Sequence, residues 1–292
     1  MARTKHSTLA GRWYAGSAAR LQAEVDGLLA EMEPHAPATG PLLAVVVPHA
    51  GYMYSGRAAA AAYACVARTP CERVVILAPS HYAWFRGVAV LDVDGFETPL
   101  GTVAVDRDGA ARLRSSSLIV ERPDAFADEH SLEIQLPFLQ RTVPTARVVP
   151  ALVGDLVGGD AAELGAVFAA LADDRTLFVV SSDFVHYGRR FDYVPFPSAG
   201  AEQVRAALHQ LDMGAIERVC AGDGAGFEHY VAETGATICG RHPIRLFLAM
   251  PPTPHHGQLL TYYTSLEVTG DFEHVVSYAS IAFPRGPGVL RS

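Results

Sequence analysis

Two histidines follow two apolar runs, and that placement is what would give them chemistry. Residues 42–48 (LLAVVVP) lead into His49-Ala50-Gly51-Tyr52, and residues 73–79 (RVVILAP) lead into Ser80-His81-Tyr82. Each run reads as a buried strand that delivers an imidazole at its end, the commonest way to offer nitrogen to a metal ion. A third run, residues 176–182 (TLFVVSS), ends in Asp183-Phe184-Val185-His186-Tyr187-Gly188 and brings a carboxylate and another imidazole. An Asp beside a His orients the ring, sets its tautomer or relays a proton, as oxygen or hydrolytic chemistry requires; the plain alternative is an Asp that caps a loop. Cys239 lies in Thr237-Ile238-Cys239-Gly240-Arg241-His242-Pro243, just before an apolar helix at 244–250. The helix dipole there favours thiolate, the form that binds metal or attacks an electrophile, and a buried structural thiol is the alternative. Asp128-Glu129-His130 reads as a charged first turn that Ser131 can cap, or as the source of a further proton donor in His130. His6, His35, His209, His255 and His256 follow no such strand and read as structural.

What must position these groups is a βαβ unit. Between the first two runs, residues 55–68 (SGRAAAAAYACVAR) are Ala-rich and free of Pro, and His49 and His81 stand 32 residues apart. That is the length of a crossover between parallel strands, which lie about 5 Å apart if they pair directly. Both histidines then emerge at the carboxyl edge of one sheet, where open α/β sheets bind ligands. Residues 17–32 form an amphipathic helix with Ser17 as cap, and 33–41 form a Pro/Gly-rich connection. A hairpin is predicted around 87–105, helices at 128–140 and 161–171, and strands at 147–153 and 176–182. Helices at 199–211, 213–221 and 226–234 follow, then strands at 259–268 and 275–283. The alternation predicts an α/β fold, a mostly parallel central sheet with helices on both faces, in one domain over 1–292.

Composition narrows the function classes. Half of the 292 residues are hydrophobic and 18% are charged, enough to bury a full core. The formal charge is −8, with no basic run of five, which argues against nucleic acid as a partner. Positive mean hydropathy comes from scattered Ala and Val, not from a membrane-length segment, so no membrane partner is expected. Cys65, Cys71, Cys220 and Cys239 show no CxxC spacing, and the first residues lack the apolar core of a secretory signal. Reduced thiols and a cytoplasmic location are the expectation.

Five blocks in order form a pattern: PHAGYMYSG at 48–56, PSHY at 79–82, DEHSLEIQLPFL at 128–139, SSDFVHYG at 181–188 and CGRHPI at 239–244. With RWYAGS near the start and SYASIAF near the end, the chain resembles the Memo family, known in bacteria as AmmeMemoRadiSam system protein B. The resemblance implies a fold like the catalytic subunit of class III extradiol ring-cleaving dioxygenases, with a non-haem metal site at the sheet edge. It implies His49, His81 and Cys239 as metal ligands, where the dioxygenases complete a two-histidine site with a carboxylate. Iron(II) is the implied metal; the thiolate also raises affinity for copper and zinc. Asp183 and His186 resemble the family's substrate-facing residues, and His130 is placed in the same cleft. Animal members are known as redox-linked scaffolds that bind iron or copper and phosphotyrosine peptides.

Two functions of different class follow. One is an Fe(II)-dependent oxidoreductase of dioxygenase type on an unknown small-molecule substrate, with His186, Asp183 and His130 as the catalytic, proton-handling groups. The other is a metal- or peptide-binding module with a vestigial catalytic site, acting with protein partners. The bacterial family name implies radical-SAM and AMMECR1-like proteins in that role. A zinc hydrolase with Asp183 as base is a third option.

Overall fold

The computed structural model describes residues 3–37, 40–197, 200–253 and 255–286; Ala199, the predicted start of one helix, lies outside them. The chain opens with β1 (Thr4–Lys5), α1 (Ala18–Met32), β2 (Leu42–Val47), α2 (Tyr52–Val66) and β3 (Arg73–Pro79). Short strands β4 (Val88–Val90), β5 (Gly95–Thr98) and β6 (Gly101–Ala104) follow, then α3 (Arg107–Leu113) and β7 (Ile119–Glu121). The middle holds α4 (His130–Glu133), α5 (Leu136–Thr142), β8 (Arg147–Val153), α6 (Asp160–Ala169) and β9 (Thr176–Ser181). The last third holds β10 (His186–Tyr187), α7 (Ala201–Ala221), α8 (Gly224–Thr234), α9 (Arg241–Leu248), β11 (Gln258–Thr264), α10 (Leu266–Thr269) and β12 (Val275–Pro284).

The fold is mixed α/β. A nine-stranded sheet runs β10-β12-β2-β9-β3-β8-β4-β7, with β11 paired to β12. Its four central strands, β2, β9, β3 and β8, are mutually parallel, while β12 and β4 join them antiparallel on either side. β2 and β9 are buried along their whole length, which is why they read as unbroken apolar runs rather than as alternating ones. Alternate residues still face opposite layers: Val45, Val47, Ile76 and Val179 pack with residues of α1, α2 and α5, whereas Val46, Leu77 and Val180 pack with residues of α6 to α9.

One pairing differs from the expected one. β2 and β3 are not neighbours, because β9 lies between them, with Val179 opposite both Val45 and Ile76. A crossover of this length can skip one place in the sheet, and the chain fills that place from a strand nearly a hundred residues further on. Elsewhere, the helix predicted over 128–140 divides into α4 and α5 at Pro137, which sits in the first turn of α5 where no N–H is needed. The helices predicted at 199–211 and 213–221 are one helix, α7, whose intervening Asp212 is fully buried. In the 87–105 region only β5 and β6 form a hairpin, and β4 joins the large sheet. Among the described residues, no helix is long and apolar enough to cross a membrane.

Candidate metal centre

Because β2, β9 and β3 end side by side, His49, Asp183 and His81 leave the sheet from one edge, and the first residue of α4, His130, comes to meet them. The His49 ring lies 5.2 Å from that of His81 and 5.4 Å from that of His130, edge-on to both. His81 and His130 stack at 4.4 Å. One ligand nitrogen from each of the three lies within 4.8 Å of the others, so these histidines could hold a metal ion.

The ring tautomers follow from their partners. The Ser181 hydroxyl donates to the Ser131 carbonyl at 2.7 Å, so at 2.9 Å from Nδ1 of His49 its oxygen must accept, and Nδ1 carries the proton. That leaves Nε2 of His49 as the free lone pair. Gln135 holds the serine in turn: its amide nitrogen donates to Ser181 Oγ at 3.1 Å and to the Pro48 carbonyl at 3.0 Å, while Tyr63 donates to its oxygen at 2.9 Å. Glu129 does the same for His81, with Oε1 2.8 Å from Nδ1 and Oε2 accepting the His81 backbone N–H at 2.6 Å. Burial pushes the Glu129 carboxyl up, but His81 and His130 outweigh it and hold it at about 2, so it stays ionised.

Burial, and then the proximity of His81, His130 and His186, holds His49 well below the ordinary histidine range. Burial likewise pushes His130 down to about 4, with Glu129 opposing. Both are neutral at pH 7, as ligation requires. His130 Nδ1 is 3.4 Å from Glu129 Oε1, and this buried nitrogen has no hydrogen-bond partner among the described residues. Three converging imidazoles, two of them in fixed tautomers, are a donor set for a divalent transition metal, and the residues fit such a group.

The other expected site residues are placed as follows. Cys239 lies outside the three-nitrogen group, with Sγ 3.1 Å from Nε2 of His49 and 3.5 Å from the Asp183 carbonyl. Of the two readings of this thiol, burial favours the structural one: together with Asp183 it pushes the thiol well above its usual range. Asp183 is buried and spends Oδ1 on the His49 backbone N–H at 2.7 Å, rather than on an imidazole ring. Burial raises its carboxyl against the pull of His186 and that N–H. His186 engages Nδ1 with the carbonyls of Phe184 at 3.0 Å and Thr237 at 3.2 Å, leaving Nε2 as its free nitrogen. His49, His81, His130, Asp183 and His186 all line one cleft of about 870 Å³, roofed in part by Trp13, whose ring lies tilted 4.5 Å from that of His130. A smaller cavity of about 380 Å³ reaches Cys239 and the other side of His81.

Glu129, Gln135 and Ser181 were not singled out in the sequence, and neither was Trp13. Glu129 is read there as a helix-terminal charge, and it does cap α4 by accepting the Ser131 N–H at 3.0 Å. Its second role, on a histidine 48 positions away, leaves no local mark.

The Memo-like protein family matches residues 5–282 of the chain. A memo-1 homolog of Caenorhabditis elegans is 35% identical over 95% of this chain and 81% of its own length. Protein MEMO1 of Homo sapiens is 33% identical over 94% and 96%, and that of Xenopus tropicalis 36% over 84% and 83%. A crystal structure of an uncharacterized protein from Escherichia coli K12 aligns with a TM-score of 0.53 at 14% identity, covering 83% of this chain and 99% of that one, which is a likeness of fold alone.

Proposed function

The chain belongs to the Memo-like protein family, and we propose that it is a non-haem metalloprotein, an Fe(II)-dependent oxidoreductase of dioxygenase type acting on a small molecule. The observation that carries this reading is the convergence of His49, His81 and His130, one nitrogen of each within 4.8 Å of the others, with Glu129 and Ser181 holding two of the rings in fixed tautomers. His49, His81 and His130 are the proposed ligands, with Cys239 within reach of the His49 ligand nitrogen as a fourth donor.

Iron(II) held there would supply the redox chemistry that makes O2 reactive. The protein's own residues bind, orient and move protons. Glu129 and Ser181 fix the ligand rings, and Trp13 covers His130 against solvent. His186 would carry a proton on the nitrogen left free by its two carbonyl contacts, and Asp183 would hold one more readily than an exposed carboxyl. In a dioxygenation both atoms of O2 enter the product and no external reductant is consumed.

The contact between Cys239 Sγ and His49 Nε2 supports a second reading. A thiol that donates to that nitrogen occupies a ligand position, as it would in a metal- or peptide-binding module whose catalytic site is vestigial and whose partners are proteins, radical-SAM and AMMECR1-like proteins among them.

Elemental mass spectrometry on anaerobically purified protein separates these readings. The expected result is close to one iron per chain, lost in His49→Ala and His130→Ala and retained in Cys239→Ala, with O2 uptake on a catechol panel. No metal after anaerobic Fe(II) reconstitution overturns the metalloprotein; copper or zinc in place of iron overturns the dioxygenase.

A further inference from the structure

We propose that the cleft above the histidines takes a small aromatic carboxylate, bound by Arg12, Arg20 and Arg190, with its ring between the Trp13 and Phe191 walls. This rests on the reading of the histidines as a metal centre and names the substrate class of that centre.

The starting point is an imbalance in how the charged side chains are used. Most described arginines donate to a carboxylate or a carbonyl, as Arg86 does to Asp160 and Arg141 to Asp26. Among the described residues, Arg12, Arg20 and Arg190 have no side-chain hydrogen bond or ion pair, and all three line the same cleft. The three acidic residues of its lining are engaged instead. Glu24 accepts the Ala15 N–H at 2.9 Å, Asp183 the His49 N–H at 2.7 Å, and Asp271 the N–H groups of Glu273 at 2.8 Å and His274 at 3.3 Å. In a chain of net charge −8, three uncommitted guanidinium groups around one cavity are donors without an acceptor.

Two of these cations sit next to flat surfaces. Arg12 precedes Trp13, which packs on His130 at 4.5 Å, and Arg190 precedes Phe191, which lies 5.1 Å from His186. Each wall therefore sets an aromatic ring against a site histidine, with the guanidinium of the preceding residue lining the same cleft. That pairing suits a ring with a planar oxyanion attached. The equal number of acidic groups argues for a singly charged carboxylate over a dianionic phosphate. At about 870 Å³ the cleft also exceeds what one unsubstituted ring needs.

The test is isothermal titration of the full chain, metal-free and Fe(II)-loaded under anaerobic conditions, with 2-naphthoate, its neutral amide 2-naphthamide and 2-naphthyl phosphate. The expected result is naphthoate bound at least ten-fold tighter than naphthamide. That preference falls several-fold in Arg12→Gln, Arg20→Gln and Arg190→Gln, and is unchanged in Arg147→Gln, an arginine at the opposite end of the sheet. These arginines are solvent-exposed, so the variants fold. Equal affinity for acid and amide in a wild type that still takes up iron overturns the carboxylate and leaves the metal centre standing. Arginine-dependent acid preference in a wild type that takes up no metal sustains the anion cleft and overturns the metal centre. Phosphate ten-fold tighter than naphthoate overturns the carboxylate in favour of a dianion.

Discussion

Glu129 holds His81 at two points, the ring through Nδ1 at 2.8 Å and the backbone N–H at 2.6 Å. One carboxylate thus fixes both the loop that carries the ligand and the direction in which its Nε2 lone pair faces. Glu129→Gln keeps the size of the side chain and loses the charge. Its metal affinity is expected to fall about 10- to 100-fold, the usual cost of removing a group that orients a ligating histidine. Competition with a chelator of known affinity measures it, and unchanged affinity refutes the orienting role.

Ser181 joins His49, Gln135 and the Ser131 carbonyl at a fully buried point. Ser181→Ala strands three polar groups where water cannot replace the hydroxyl, and is expected to cost about 1–3 kcal/mol of stability. Urea unfolding checks this. A loss below a few tenths of a kcal/mol would mean that the chain of contacts from Tyr63 to His49 has relaxed around the gap.

Gly240 lets the Cys239 loop lie against the end of β9. A Cβ there would meet the Ser182 side chain at 2.2 Å and the Ser181 carbonyl at 2.7 Å, both too close to accommodate without movement. Gly240→Ala is expected to destabilise by about 1–3 kcal/mol and to shift Cys239 away from His49. Thermal unfolding gives the first quantity. The second appears as faster reaction of Cys239 with a thiol reagent, scored by peptide mass.

Asp212 gives a pH dependence of known sign. Burial raises its carboxyl to about 6, although the Val185 N–H at 3.1 Å and the Tyr262 hydroxyl at 2.8 Å donate to it. Its folded value is above the unfolded one, so between about pH 4 and 6 the folded chain keeps a proton that the unfolded chain has lost. Stability from this group is full below that window and is lost as pH rises through it, by about 2–3 kcal/mol at 1.36 kcal/mol for each pKa unit. Asp212→Asn is expected to remove that slope and to gain on the wild type from pH 4.5 to pH 7 in urea unfolding. A constant difference between the two proteins would show that Asp212 titrates normally.

His49, His81, Asp183 and His186 are legible in the sequence because each follows an apolar run, and the edge at which such a run ends is a local property. The α/β alternation is legible for the same reason. Strand order is not: nothing within residues 42–81 shows that β9 will part β2 from β3. Glu129 on His81 and Gln135 on Ser181 escape for a related reason, since each contact joins segments more than forty positions apart. For Cys239 the helix end that favours thiolate is visible in the sequence, whereas the burial that opposes it is a property of the fold. The predicted division between 199–211 and 213–221 falls at Asp212, which the structure buries in the middle of α7, where its oxygens accept from Val185 and Tyr262.

The insertion of β9 between β2 and β3 also sets a timetable for synthesis. His49 and His81 leave the ribosome early, but their strands have no shared neighbour until residues 176–181 emerge, and Cys239 comes later still. A nascent chain halted before residue 176 has His49, His81 and His130 but not the strand that sets β2 and β3 side by side. Contacts of such long sequence separation form late, so metal loading belongs to the nearly finished protein. An amino-terminal fragment should therefore bind metal no better than an unfolded peptide.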